Sequence, residues 1–170
     1  MSLSIHEACV PVFVRMLRNL ARILEKAAAH AEAAKTDPAA LLASRLHPDM
    51  YPLAQQARIA IDAAVGGAAS LAQVEPPALA EAEDSFAALH ERIRGAIEFL
   101  GALEPSRFEG AEGRTVGWSR RGTAISVGGA QYLFNHAMPK FYFHLTTVYA
   151  ILRHEGVALR KGDFMSKAED

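Results

Sequence analysis

The sequence predicts an all-α fold, a bundle of four long helices, on three observations. Apolar residues recur at three- and four-residue steps in four separate stretches, and start and stop residues bound each stretch. Only two short β-prone pieces occur, too few to build a sheet domain of their own. Amphipathic helices satisfy their apolar faces by packing on one another. The chain therefore reads as one domain over residues 1–170, with a short extra helix and a small β-hairpin or ordered loop before the last long helix.

The first helix is signalled by "SIHE", where Ser4 and Glu7 have the spacing of a capping box. Val10, Phe13, Val14, Leu17, Leu20, Ala21 and Leu24 then fall on one face. Pro11 removes one donor near the start. Asp37–Pro38 opens a short helix, since aspartate caps and proline suits the first helical position. The two prolines of "HPDMYPL" predict a bend before a longer helix that begins near Pro52 and runs through "LAQQARIAIDAAVGGAASLAQ". Gly66 and Gly67 either weaken that helix or permit close packing.

After "VEPPA", the residues Phe86, Leu89, Ile93, Ile97 and Leu100 form a third long stripe. "RTVGW" and "TAISV", separated by "SRRG", suggest a hairpin. The last long helix occupies much of "AQYLFNHAMPKFYFHLTTVYAILRH", with Gly156 as a left-handed cap.

Composition narrows the functional classes. The chain is 51% hydrophobic and 22% charged with a net charge of −1, so no charge excess points to nucleic acid or an anionic membrane. No uncharged apolar run approaches the roughly 20 residues that span a bilayer, so no membrane partner is expected. The amino terminus lacks the basic region of a signal peptide. Cys9 is the only cysteine, which excludes an intrachain disulfide and a Cys-based zinc site; a cytoplasmic location is expected. Cys9 lies in an apolar run and reads as a core residue. Neither Ser119 nor Ser126 sits in a nucleophile elbow, and no phosphate-binding glycine loop is present. Arg114, Trp118, Arg120 and Arg121 could contact an anion or nucleic acid, but they read first as an exposed hairpin turn with solvated arginines.

The seven histidines carry the remaining chemistry, and no two of them stand three or four positions apart. On an ideal helix His136 and His144 are about 12 Å apart along the axis and turned by about 80°. They share an ion only if Pro139 redirects the chain between them. His144 flanks the stripe Phe141, Leu145, Val148 and Leu152, so it either lines a cavity or is satisfied by internal hydrogen bonds. His154 serves the helix end. His47 in "RLHPDMYPL" presents an imidazole beside Asp49, which either joins it in a cavity or caps the next helix; Tyr51 and Gln55 share that region.

The segments "SIHEACVPVFVRMLRNLARIL", "RLHPDMYPLAQQARIAIDAA", "FEGAEGR" and "KFYFHLTTVYAILRHEGVALRKGDF", in that order, resemble the bacterial domain-of-unknown-function family nineteen-ninety-three over nearly the whole chain. That family looks like a branch of the DinB/YfiT-like superfamily. The resemblance implies an antiparallel DinB-like four-helix bundle and a homodimer. In metal-binding relatives a histidine near the second long helix joins two on the last helix. His47 and His144 match best, whereas Lys140 and Val148 stand four positions before and after His144 where a third is expected. The resemblance thus implies a divalent metal such as Zn or Ni on His47, His136 and His144 only through an irregular backbone.

The leading expectation is a DinB-like bundle protein that binds a small molecule in a polar cavity formed by His47, Asp49, Tyr51, Gln55 and His144. One alternative is a metal-dependent hydrolase or thiol transferase with a degenerate histidine site. Another is a noncatalytic homodimeric interaction protein.

Overall fold

Helix α1, Ile5–Ala34, starts on the capping box foreseen for it: Ser4 Oγ accepts from the Glu7 N–H, and the Glu7 carboxylate accepts from the Ser4 N–H at 2.9 Å. The structure, a computed structural model, describes residues 3–81, 85–120 and 122–165. Helix α2, Pro38–Ala43, is capped by Asp37. Helix α3, Leu53–Ala72, begins at Pro52 without a side-chain cap, and Asp49 plays no part in it. The Leu53 N–H donates instead to the Ser44 carbonyl at 2.8 Å. Helix α4, Phe86–Gly101, is capped by Ser85. A 3₁₀ turn, Pro105–Phe108, leads into strands β1, Thr115–Arg120, and β2, Thr123–Gly128.

These strands pair antiparallel with Val116 opposite Val127 and Trp118 opposite Ile125. The short helix α5, Gly129–Tyr132, then opens into a π-helical turn, Leu133–Ala137, before helix α6, Met138–His154. Gly156 follows at φ 86°, the left-handed cap expected there.

One apolar cluster runs through α1, α3, α4 and α6. Helix α3 packs most extensively on α6 and also on α4, and α4 packs on α1. The bundle closes where the rings of Phe13 on α1 and Phe141 on α6 meet at 4.9 Å, edge to face. Cys9 is fully buried among these side chains, and burial pushes its thiol up to about 12, so it is a core residue rather than a nucleophile.

A last helix, α7, Lys161–Met165, lies against α1 and was not foreseen from periodicity. Fully buried Asn19 donates to the Phe164 carbonyl at 2.8 Å, and Lys26 pairs with Asp163 at 2.5 Å. A polar residue inside the α1 stripe thus finds its acceptor 145 residues away.

Candidate functional site

The irregular turn before α6 has a local cause. Proline has no N–H, so Pro139 cannot donate to the Asn135 carbonyl as an α-helical residue would. The widened turn accommodates this, and the Met138 N–H reaches back five residues to the Leu133 carbonyl. Gly67 of α3 meets this turn closely: a Cβ there would stand 3.1 Å from the Cβ of Ala137. The turn carries His136 toward the hairpin. Its imidazole stacks on the Trp118 indole with centroids 4.4 Å apart, and the buried Tyr132 ring lies 5.5 Å from both.

An open cleft of about 640 Å³ lies beside this aromatic group. Trp118 and Ser119 line it from the hairpin, Asn135 and His136 from the π turn, and Lys140 from the first turn of α6. The Trp118 Nε1 is shielded from solvent and has no acceptor among the described residues. Tyr132 also lines the cleft, and burial raises its phenol above the ordinary value.

The hairpin wall is fastened to the bundle by Arg114. Its guanidinium donates to the carbonyls of Leu71 at the end of α3, of Arg107 at 3.0 Å and of Glu109 at 3.0 Å. This side chain is not the solvated arginine expected from the sequence, and Trp118 is not an exposed turn residue. Arg121 and the side chain of Arg120 lie outside the described residues.

A second polar pair sits between α3 and α6. His144 Nδ1 lies 2.6 Å from Gln56 Oε1, while Gln56 Nε2 donates to the Tyr51 carbonyl at 3.2 Å. Because the amide nitrogen is committed to a carbonyl, its oxygen faces the imidazole, and His144 carries its hydrogen on Nδ1. The Nε2 lone pair remains as the basic site of the neutral ring. Burial first, and the Lys140 charge second, lower the His144 pKa below the ordinary 6.5.

A family model described as Domain of unknown function (DUF1993) matches residues 5–165. The chain belongs to this family. A crystal structure of a DinB family member protein from Shewanella denitrificans is 35% identical to it, with a TM-score of 0.89, covering 97% of this chain and 93% of that one. The DUF1993 chain is therefore a DinB-type bundle, as its motif order suggested. No curated protein matches it.

The residues singled out from the sequence differ in exposure and in partner in this DUF1993 bundle. His47 lies exposed in the loop after α2, its Nδ1 2.5 Å from Asp49, which is also exposed. Tyr51 is 52% exposed. Gln55 is half-buried, and it is the neighbouring Gln56, 2% exposed, that meets His144. None of these residues lines the cleft at Trp118.

The three histidines each have a partner of their own. His47 is held by Asp49, His136 is stacked on Trp118 and His144 is bonded to Gln56, so each imidazole is drawn to a different element. Among the described residues, no group of three or more His, Cys, Asp or Glu side chains could hold a metal ion.

The lowered pKa of His144 has a measurable consequence. As pH falls, the unfolded chain protonates this histidine first, so its contribution to stability is whole above the unfolded value of 6.5 and is lost on the way down to the folded pKa. His144→Gln is expected to flatten the stability profile across that window, read by denaturant unfolding at a series of pH values. Lys140→Gln is expected to move the His144 titration upward in NMR, because it removes one of the two causes of the shift. An unchanged titration would refute that coupling.

Proposed function

We propose that this DUF1993 chain is a small-molecule-binding protein whose ligand sits in the cleft between the β-hairpin and the π turn. The observation that carries this reading is a cleft of about 640 Å³ in which a stacked Trp118–His136 plate adjoins the polar groups of Asn135, Ser119 and Lys140. Ligand sites typically enclose roughly 300–1,000 Å³ and combine aromatic walls with a few polar groups. The π turn adds support, because such turns recur at functional sites. His47 and Asp49 already satisfy one another in solvent and offer no comparable enclosure.

The test is a fragment screen by NMR on isotope-labelled protein. The expected result is a set of hits that shift the Trp118 indole resonance, which is unambiguous because Trp118 is the only tryptophan. Hits that bind elsewhere and leave that resonance in place would overturn the assignment.

A second reading, homodimerisation, is favoured by an apolar groove of about 540 Å³ along α6, where Leu46 and Met50 face Tyr142, Phe143 and Ala150. Leu46 and Phe143 are 42% and 59% exposed, and a second copy seated here would bury them. Sedimentation equilibrium should then give a dimer for the natural chain and a monomer for Phe143→Glu. A natural chain that stays monomeric at all concentrations would exclude this interface.

A further inference from the structure

We infer that the cleft at Trp118 selects an acidic ligand, a small organic molecule carrying a carboxylate, with Lys140 as the residue that reads its charge. This rests on the cleft being the ligand site and adds the class of molecule it takes.

The charge balance of the wall is one-sided. Among the described residues, its lining includes Lys140 and no aspartate or glutamate. Lys140 has no carboxylate partner among the described residues, and its charge disfavours the cationic form of His144. A cation left beside a concave, partly shielded surface attracts an anion more strongly than a cation standing free in solvent.

The wall is also rich in donors. Lys140 offers an ammonium, Asn135 an amide and Ser119 a hydroxyl. A carboxylate is acceptor-only when ionised, so it complements a wall of this kind, whereas an ammonium ligand would meet like charge and surplus donors.

The positions of these groups are held rather than loose. Trp118 belongs to a hairpin that Arg114 ties to three backbone carbonyls, and Lys140 follows Pro139 in the first turn of α6. The two walls therefore present their donors from rigid elements, which lowers the ordering cost of binding.

Emission from the single tryptophan reads the site directly. The natural chain is titrated with benzoate, benzamide and benzylammonium, which share a ring and differ in charge. The expected result is saturable change in Trp118 emission with benzoate, weaker by at least about tenfold with benzamide and absent with benzylammonium. Lys140→Gln should weaken benzoate by about tenfold, Lys140→Arg should retain it, and added salt should weaken it in the natural chain. An unchanged melting temperature for both variants separates this loss from misfolding. Benzamide or benzylammonium binding as tightly as benzoate would overturn the acidic class while leaving a small-molecule site. No response to any of the three, together with no cleft hits in the fragment screen, would overturn both.

Discussion

Gly129→Ala is expected to destabilise the protein by about 3 kcal/mol, the upper part of the range for forced overpacking. Gly129 is the first residue of α5, and a Cβ built there would stand 1.9 Å from the Ala111 carbonyl oxygen and 3.1 Å from Leu71 Cδ2. The obstacle at the shorter distance is backbone, so no rotamer change relieves it. The segment before β1 must move away from α5, which pulls on the bond from the Ala130 N–H to the Glu112 carbonyl at 3.0 Å. For a chain of this length the loss corresponds to about 10 °C in melting temperature. Trp118 emission should shift to the red in the same variant, because the hairpin that carries it loses its seat. Gly66→Ala is the matched control: a Cβ there meets nothing within 4 Å, and replacing a mid-helix glycine should stabilise by about 0.5–1 kcal/mol. Equal melting of Gly129→Ala and the natural chain would refute the close-approach argument.

Much of the scaffold was legible because its signals are local. Ser4 with Glu7, Asp37 with Pro38 and the φ of Gly156 each act within a few residues, and the structure uses all three as the sequence suggests. The hairpin followed from two β-prone pieces around a short turn. Gln56 was missed in favour of Gln55, although it lies three residues after Leu53 and four before Ala60 on the buried face of α3 and so matches the core period better.

The cleft was hidden for a different reason. His136 meets Trp118 only because a hairpin folds back on a π turn, and no periodicity within either segment encodes that meeting. Pro139 announced an irregularity but not its direction. A sharp kink would have turned His136 toward His144. The widened turn instead leaves the backbone helical and gives His136 to the hairpin, while Gln56 takes His144. Histidine spacing along the chain carries no information about either of these partners. The same limit applies to Arg114, whose partners are backbone carbonyls and leave no complementary residue type in the sequence.

Arg114→Ala is expected to cost about 3 kcal/mol and to loosen the hairpin before the bundle unfolds. The Leu71 carbonyl belongs to the last turn of α3, where carbonyls lack intrahelical donors and a cation is favourably placed. Removing the guanidinium leaves that buried group without its donor, a penalty of about 1–3 kcal/mol by itself. The carbonyls of Arg107 and Glu109 lose the same partner, so the 3₁₀ turn and the start of β1 are released together. Arg114→Lys should recover only part of the loss, because an ammonium lacks the planar fork that reaches three acceptors at once. Urea unfolding gives the total, and hydrogen exchange should place early opening at residues 115–128 with α1 and α3 still protected. Because that hairpin forms one wall of the cleft, benzoate affinity should fall in Arg114→Ala at temperatures where the bundle is intact. A variant within about 0.5 kcal/mol of the natural chain would make the three contacts incidental, since ordinary surface substitutions fall in that range.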